Sequence, residues 1–314
     1  MATLTQLEYI IAVDENKNFS RAAKELNISQ PSLSAQIQKV ENELDIIIFD
    51  RSQKPILTTN KGLDVIRQAK IILREHKKLF DIKNDSGELT GNFHLAVIPS
   101  LASYVLPLFV ESFSVKYPKV KLKISEYKTE DMVNALYDDH VDGGLLVTPL
   151  YDDKIVERVL FYERFFVFTS SDHDLAKKKI IKESDLDANS VWLLEEGHCF
   201  RDQVIKVCSL NRKHNVHDNI NFESGNLETL INLIRRGKGY TLLPELATMN
   251  LPEHELQNNV KKFHKPVPTR EVSLVHSRSF LKQDILDALE QEIIANLPKN
   301  IKSLKRDSIE VIDI

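Results

Sequence analysis

The sequence contains two cysteines, Cys199 and Cys208, and their surroundings define the chemistry that they could perform. A cysteine is most often a small buried hydrophobic residue, and this structural interpretation is the first alternative. The surroundings of Cys199 favour a reactive role. We expect this cysteine at the start of a helix and beside both His198 and Arg201, and all three features favour the thiolate. Asp202 has the opposite effect and favours the neutral thiol of Cys199. Cys199 is therefore the candidate nucleophile.

Cys208 lies at the other end of the same predicted helix among apolar residues, and we expect it to be buried and unreactive at rest. Nine helical steps place the two cysteines about 13 Å apart along the axis and on opposite faces. A disulfide needs Cα atoms within about 7 Å, so bonding the pair requires the helix to unwind. The disulfide would close the loop between the two cysteines, and the conformational freedom that the chain loses corresponds to roughly 3 kcal/mol. The spacing thus predicts a segment with two alternative folds, selected by oxidation.

The rest of the sequence offers little other chemistry. It has no paired Cys and His spacing typical of zinc sites and no glycine-rich phosphate loop, so we expect no cofactor and no metal. The basic runs Lys177–Lys179 and Lys305-Arg306 are interpreted as solvated surface.

Composition indicates a globular protein. The chain has 314 residues, 42% of them hydrophobic and 28% charged, with a formal net charge of -4, which excludes collagen-like and largely disordered classes and allows two domains. We find neither a secretory signal nor an apolar stretch of the roughly 18 residues that a membrane helix needs. We therefore expect a cytoplasmic protein without membrane contact, in which any pairing of the cysteines is transient.

The first 58 residues show the pattern of a winged helix-turn-helix. Apolar residues recur at helical spacing in three segments, with Ser20 as the expected cap of the second helix and Pro31 in the first turn of the third. Two short strands around a polar loop form the wing. The predicted elements are helices at 5–13, 20–26 and 31–44 and strands at 46–49 and 56–58.

The third helix carries hydrogen-bonding side chains near its N-terminal end, which is what reading base edges in the major groove requires. A small helical protein-interaction module is the alternative. The candidate base-reading residues are Gln30, Ser32, Ser34, Gln36 and Gln38, with Pro31 at the helix start, and the candidate phosphate contacts are Arg21, Lys24, Lys39, Arg51 and Lys54.

A long amphipathic helix at 60–80 has an apolar seam that predicts pairing with a second copy, and a polar linker follows to residue 92. Strands and helices then alternate, which predicts an α/β domain with mainly parallel sheets in two lobes around a cleft. The expected strands are 93–98, 120–126, 143–147, 165–169, 190–194, 220–223 and 272–275, and the expected helices are 103–116, 129–138, 226–236 and 279–297.

The N-terminal segment resembles the winged helix-turn-helix of the LysR-type transcriptional regulators. The matching residues are Phe19-Ser20-Arg21-Ala22-Ala23, Leu26, Ser29-Gln30-Pro31-Ser32-Leu33-Ser34, Ile37, Glu41, Leu44, Phe49, Arg51, Leu57-Thr58 and Gly62. The resemblance implies a DNA-binding domain at 1–59, a dimerisation helix and linker at 60–91, and a regulatory domain of two periplasmic-binding-protein-like lobes at 92–298, followed by a tail at 299–314. It also implies a tetramer built as a dimer of dimers.

A second resemblance concerns the cysteines. Gly197-His198-Cys199, Arg201-Asp202-Gln203 and Cys208 are similar to the redox motif of the peroxide-sensing members of this family. The resemblance implies that hydrogen peroxide oxidises Cys199 to a sulfenic acid and that Cys208 resolves it to a disulfide. Ser100 and Thr129 fall where such proteins place hydroxyls that orient peroxide, although threonine is usual at the position of Ser100. The implied peroxide pocket comprises Ser100, Thr129, His198, Arg201 and Asp202.

The resemblance further implies an activator that binds double-stranded promoter DNA, acts through RNA polymerase and is reset by glutaredoxin or thioredoxin. Two other functions compete with this interpretation. One is a thiol peroxidase with Cys199 as nucleophile, against which the DNA-binding segment argues, so we expect no enzyme. The other is a regulator of the same family that binds an organic effector between its lobes while both cysteines stay inert.

Overall fold

Three helices, a hairpin and a long helix form the first of the two units into which the chain divides, residues 1–87 and 88–314. The computed structural model describes residues 2–81, 88–195, 199–208, 226–277, 282–304 and 309–312. The first unit contains α1 (Leu4–Asn16), α2 (Phe19–Glu25), α3 (Gln30–Leu44), β1 (Phe49–Asp50), β2 (Leu57–Thr58) and α4 (Asn60–Asp81). Because β1 and β2 pair antiparallel after α3, the predicted winged helix-turn-helix is confirmed.

Local sequence explains where the helices of this unit begin. Asn18 caps α2, because its side chain accepts hydrogen bonds from the N–H groups of Ser20 at 2.8 Å and Arg21 at 3.1 Å. The prediction that Ser20 is the cap was wrong, since Ser20 already lies in the first turn. Ser29 caps α3, and Pro31 lies in its first turn as predicted, where the missing N–H costs no hydrogen bond.

One buried carboxylate joins the wing to α3. Glu41 accepts hydrogen bonds from the N–H groups of Ile48 at 2.8 Å and Phe49 at 3.2 Å, which would otherwise be unpaired where the chain leaves the helix. A Cβ atom at Gly62 would lie 2.3 Å from the carbonyl oxygen of Ile48. Only glycine therefore allows α4 to start so close to the wing.

The second unit alternates strands and helices around one apolar core. Three single 3-10 turns, at Asp174–Lys177, Glu183–Asp185 and Ala188–Ser190, complete its regular structure within the described residues. Its elements are β3 (Gly91–Val97), α5 (Pro99–Lys116), β4 (Val120–Glu126), α6 (Thr129–Tyr137), β5 (Gly143–Thr148), β6 (Ile155–Thr169), β7 (Ile180–Ile181), α7 (Cys199–Val207), α8 (Leu227–Arg236), β8 (Tyr240–Pro244), α9 (Glu245–Thr248), α10 (Glu253–Asn258), β9 (Val260–Phe263), β10 (Pro268–Ser277), α11 (Gln283–Asn296), α12 (Lys299–Lys302) and β11 (Glu310–Val311).

The sheet of this unit is mixed. Strand β3 is parallel to β4 and β5, whereas β10 lies antiparallel between β5 and β6, and β6 is antiparallel to β8 and β9. The order is β4-β3-β5-β10-β6-β9-β7, with β11 beside β10 and β8 beside β6. The expectation of mainly parallel strands was wrong, because residues 149–154 and 264–267 join strands without the helix of a βαβ crossover.

The long strand β6 connects the two halves of the second unit. Its first ten residues pair with β10, and its last five pair with β8 and β9. A single strand of 15 residues thus belongs to both halves of a curled sheet, which is the two-lobed, periplasmic-binding-protein-like architecture that was expected.

Several other predicted elements differ from the structure. Helix α5 begins at Pro99 rather than near residue 103, and the expected strand at 190–194 is reduced to one bridge between Val191 and Tyr240. The strand expected at 220–223 and the linker residues 82–87 lie outside the described residues. Within the part of the chain that the structure describes, no helix combines the length and apolar character needed to cross a membrane.

Candidate functional site

Cys199 is the first residue of α7, and its side chain is 5% exposed. The next residue, Phe200, packs its ring against Phe165 of β6 with the ring centroids 5.8 Å apart, so the start of the helix is held against the sheet. Free backbone N–H groups at a helix start favour a negative charge. The position of Cys199 agrees with the expectation from sequence.

A buried ionic network lies beside this cysteine. Arg270 of β10 is fully buried, and its guanidinium donates to a carboxylate oxygen of Glu163 on β6 at 2.8 Å. It also donates to the hydroxyl of Ser100 at 3.0 Å and to the Ser100 carbonyl at 3.3 Å. The second oxygen of Glu163 accepts from the N–H of Leu246 at 2.7 Å. Each charged group is therefore paired, as burial requires.

The ionisation of Cys199 reflects opposing influences. Burial raises the pKa of its thiol, while the hydroxyl of Thr129 and the charge of Arg270 oppose that rise, and Asp202 adds to it. Arg201, which was expected to favour the thiolate, instead donates to the carbonyl of Leu194 at 2.7 Å and fixes the end of the preceding segment. The cation that favours the Cys199 thiolate is Arg270, from a strand about 70 residues later.

Thr129 and Ser100 occupy different positions in this site. Thr129 begins α6, and its buried hydroxyl makes no hydrogen bond of ordinary geometry within the described residues, although it lies close enough to the sulfur of Cys199 to favour the thiolate. The Ser100 hydroxyl is already held by Arg270. Of the expected pocket, the structure brings together Cys199, Thr129, Asp202 and, through Arg270, Ser100. His198 lies outside the described residues.

Cys208 follows the last residue of α7 and is also buried, with its N–H still donating to the carbonyl of Val204 at 2.9 Å. Burial raises the pKa of its thiol to about 12. The hydroxyl of Tyr240 lies 3.8 Å from its sulfur. Cys208 is therefore held as a neutral thiol, in agreement with the expectation of a buried, unreactive cysteine.

Both cysteines are free thiols, and the helix between them separates them. Its rise of about 1.5 Å per residue sets them roughly 13 Å apart. The same helix is attached to β11 of the C-terminal segment, because the amide of Gln203 donates to the carbonyl of Ile312 at 3.1 Å. The oxygen of that amide is buried and lacks a hydrogen-bond partner among the described residues. Unwinding α7 would break this link.

Sequence reasoning missed three residues of this site: Glu163, Arg270 and Tyr240. Glu163 and Arg270 each stand inside an apolar strand segment, Leu160–Thr169 and Val267–Val275. A charge in such a segment signals a buried partner of opposite sign, and this signal could have found both residues. No comparable signal exists for Tyr240, since a tyrosine in a strand is ordinary.

A second candidate site lies in the N-terminal unit. A cleft of about 740 Å³ opens between the starts of α2 and α3 and the wing, and it is lined by four cationic side chains and no carboxylate. The predicted DNA-binding residues that line it are Arg21, Gln30, Ser34, Arg51 and Lys54. A cationic cleft beside the N-terminal end of α3 suits the phosphate backbone of DNA.

Some predicted DNA contacts also have partners within the unit. Arg51 donates to Glu41 at 2.8 Å and Ser34 at 2.9 Å. Gln36 accepts from the amide of Gln6 at 2.8 Å, and Gln38 donates to Asn42 at 3.2 Å. The remaining predicted residues of α3, Gln30, Pro31 and Ser32, are exposed at its N-terminal end.

The fold and these sites define a DNA-binding regulator with a separate regulatory unit. The family of bacterial regulatory helix-turn-helix proteins of the lysR type matches residues 4–63, and the LysR substrate binding domain matches residues 86–297. The chain therefore belongs to the LysR family of transcriptional regulators.

Several similar proteins are named as hydrogen peroxide-inducible activators or as OxyR. A hydrogen peroxide-inducible genes activator from Haemophilus influenzae is 32% identical over 87% of this chain and 90% of its own length. The dual regulator OxyR of Escherichia coli is 29% identical over 98% of this chain and 99% of its own. A full-length OxyR variant from Pseudomonas aeruginosa has a similar structure, with a TM-score of 0.75, 28% identity and coverage of 95% of this chain and 99% of that one. A hydrogen-peroxide-bound OxyR mutant from Corynebacterium glutamicum gives a TM-score of 0.59 at 26% identity, with 94% of this chain and 92% of that one covered.

Proposed function

We propose that this protein is a peroxide-responsive transcriptional regulator in which oxidation of Cys199 and its bonding to Cys208 switch the regulatory domain. One observation carries the proposal. At the start of α7, the Cys199 sulfur lies beside the buried hydroxyl of Thr129, which has no other hydrogen-bond partner among the described residues, and near the buried guanidinium of Arg270. Two relatives that are named hydrogen peroxide-inducible genes activators support it, since they match 87% and 98% of this chain.

The first step is oxidation of one sulfur. The Cys199 thiolate attacks one oxygen of hydrogen peroxide, the O–O bond breaks, and the departing hydroxide takes a proton to leave as water. A hydroxyl such as that of Thr129 both donates and accepts, so it can bind peroxide next to the sulfur. Arg270 stabilises the thiolate that this step needs. Asp202 and His198 complete the proposed pocket, together with Ser100 and Arg201 as positioning residues.

The second step is formation of the disulfide. The Cys208 sulfur attacks the sulfenic sulfur of Cys199, and the hydroxyl of the sulfenic acid leaves as water with the Cys208 proton. Because α7 holds the two sulfurs far apart, this step requires the helix to unwind. A dithiol reductant of the glutaredoxin or thioredoxin class returns the pair to two thiols, after which the helix reforms.

The DNA-binding part of the proposal assigns the cationic cleft to promoter DNA. Residues 1–59 bind the DNA, the helix and linker at 60–91 form the dimer, residues 92–298 sense peroxide, and 299–314 form the tail. Two dimers assemble into a tetramer, which activates antioxidant genes through RNA polymerase. The proposed contacts are Arg21, Gln30, Pro31, Ser32, Ser34, Gln36, Gln38, Arg51 and Lys54.

The test compares two variants of the full-length protein, Cys199→Ser and Cys208→Ser. After a brief peroxide pulse, mass spectrometry of the wild type should show loss of two hydrogens from the peptides that carry both cysteines, and the DNA footprint should change. Cys208→Ser should stop at the sulfenic acid, and Cys199→Ser should show neither change.

Two results would contradict the proposal. A footprint that still responds to peroxide in Cys199→Ser would favour a regulator with inert cysteines and an organic effector. Rapid, repeated consumption of peroxide with a thiol reductant would favour the peroxidase alternative.

A further inference from the structure

Tyr240 of β8 is a fully buried tyrosine whose hydroxyl meets the second cysteine. Its oxygen lies 3.8 Å from the sulfur of Cys208 and 3.1 Å from the carbonyl oxygen of Asp187. The ring packs against that of His173, with the centroids 5.7 Å apart. The phenol hydroxyl therefore lies between the thiol of Cys208 and the backbone carbonyl of Asp187.

The backbone holds this side chain in place. The Tyr240 carbonyl accepts from the N–H of Trp192 at 2.7 Å. Gly239, directly before it, has a φ of +112°, and a Cβ atom there would lie 2.5 Å from the carbonyl oxygen of Ser190. This close approach requires glycine, so the path of the chain into Tyr240 has little freedom.

The hydrogen bonds among the Tyr240 phenol, the Cys208 thiol and the Asp187 carbonyl depend on which of these groups carries a proton to donate. A phenol has one proton to donate, a carbonyl oxygen can only accept, and a neutral thiol can donate weakly. The phenol of Tyr240 is placed to donate to the sulfur of Cys208 at 3.8 Å and to the carbonyl of Asp187 at 3.1 Å, so its one proton serves both groups. Burial raises the pKa of the Cys208 thiol, and the hydrogen bond from Tyr240 opposes that rise. What Tyr240 provides is therefore a fixed contact that holds the Cys208 sulfur in place.

We propose that Tyr240 is a positioning residue for Cys208, retaining its thiol in the reduced fold and so limiting how readily it leaves to attack oxidised Cys199. The inference rests on the proposed function. In the attack the S–S bond forms, the S–O bond of the sulfenic acid breaks, and water leaves with the Cys208 proton. The contact to Tyr240 exists only before this step, so it stabilises the reduced state alone.

The experiment is Tyr240→Phe in the full-length protein, equilibrated in dithiothreitol redox buffers. The equilibrium constant for disulfide formation should rise roughly three- to tenfold, which is about 15 to 30 mV towards more negative potential for a two-electron couple. The rate of disulfide formation after a peroxide pulse should rise by a similar factor. The rate at which Cys199 forms a sulfenic acid, measured in a Cys208→Ser background, should stay the same.

Thr241→Val is the matched control. Thr241 is the next residue of β8, and its equally buried hydroxyl donates to the carbonyl of Trp192 at 2.8 Å without touching a cysteine. This variant should lose stability and keep the wild-type potential. An unchanged potential in Tyr240→Phe, or equal shifts in both variants, would overturn the inference.

A second measurement does not depend on the folding of Tyr240→Phe. In a Cys199→Ser background, replacing Cys208 with alanine removes the sulfur and keeps Tyr240, so the tyrosine hydrogen-bonding doublet in the Raman spectrum should change. An unchanged doublet would refute the hydrogen bond. A wild type that forms no disulfide would overturn both this inference and the proposed function, whereas a normal wild type with an unaffected variant would overturn this inference alone.

Discussion

Arg270 can favour the Cys199 thiolate only because Glu163 compensates for its burial. A lone guanidinium in the core would cost several kcal/mol, and the pair, with its further bonds to Ser100 and Leu246, avoids that cost. The net charge of the pair is zero. Its dipole is nevertheless oriented, with the positive group the one that acts on the sulfur. At the residue scale, the site is a fixed electrostatic environment around a single buried thiol.

Replacing Thr129 with valine tests the hydroxyl that faces this thiol. The free energy of unfolding should change by less than about 0.5 kcal/mol, because a buried hydroxyl with no partner of ordinary geometry in the described part of the chain is replaced by a methyl group of similar size. Oxidation of Cys199 by peroxide should slow about tenfold, the equivalent of one lost hydrogen bond to peroxide. Stopped-flow kinetics and urea unfolding measure the two effects.

Ser170→Ala is the control for that variant, since Ser170 also carries a buried hydroxyl without a partner among the described residues. Its oxidation rate should equal that of the wild type. Equal rates in Thr129→Val and the wild type would remove Thr129 from the pocket.

The Cys208 thiol should make stability depend on pH in the alkaline range. Its pKa is about 12 in the fold and 9.0 in its ordinary state, so above pH 9 the unfolded chain releases a proton that the folded chain keeps. The unfolded state is thereby favoured, and the contribution of Cys208 is present below pH 9 and lost as the pH rises. Between pH 7 and 10 the free energy of unfolding should fall by roughly 1 kcal/mol from this group.

Urea unfolding at several pH values, in the wild type and in Cys208→Ala, isolates that contribution because other alkaline groups are common to both proteins. The fall should be smaller in the variant by roughly the same 1 kcal/mol. Parallel curves for the two proteins would mean that the Cys208 thiol ionises as freely in the fold as in the unfolded chain.

The residues of the candidate site were predictable from sequence to different extents. The two cysteines are noticed because they lie in a dense local motif, and Thr129 because it falls at a position that the resemblance marks; the structure places Thr129 beside Cys199. The environment of the first cysteine could not be derived in the same way. Arg201 is its neighbour in the chain but turns to Leu194, while Arg270 reaches it through the sheet, and periodicity does not show which distant strand passes behind a helix.

At the scale of elements, α7 is the part of the fold that the proposed switch must break. It has nine residues, is attached to the sheet through Phe200 and to β11 through Gln203, and has a cysteine at each end. A short helix gains most of its stability from such packing, so small changes in helix propensity alter the balance between the helical and unwound forms.

Lys206→Gly tests this balance, because Lys206 is exposed in the last turn of α7 and glycine disfavours a helix by about 1 kcal/mol. The equilibrium constant for disulfide formation should rise roughly fivefold in redox buffers. Lys206→Ala removes the same charge but keeps the helix, and its constant should remain within about twofold of the wild type. A glycine variant that matches the alanine variant would show that the helix persists in the disulfide form.

The elements themselves were predicted best where local signals are strong. The helices of the first unit follow from apolar spacing and caps. The sheet order does not follow from such local signals. Within β6, the charged residues Glu157, Arg158 and Glu163 interrupt the apolar pattern, so the sequence predicted only the last third of this strand. The prediction of mainly parallel strands was wrong for a different reason. The antiparallel pairing of β6 with β10 depends on contacts between residues about a hundred positions apart in the chain.

At the scale of the molecule, the cationic cleft sets how DNA affinity depends on salt. Lys54 is exposed at its rim, so Lys54→Ala should reduce the slope of log affinity against log salt by about 1, with weakening that is similar for all sequences. Fluorescence anisotropy at several salt concentrations measures the slope. Lys177→Ala removes the same charge from the other unit and should leave the slope unchanged.

The hydrogen bond between Gln203 and Ile312 joins residues 109 positions apart in the chain. Contacts of such large separation form late, because the loop between them must close first. The link between α7 and Ile312 therefore forms only after the intervening chain has come together. Under the proposed switch, a disulfide formed before this link would remove one of the contacts that favour the reduced helix, so we expect refolding in a reducing buffer to give more of the reduced fold than refolding with an oxidant.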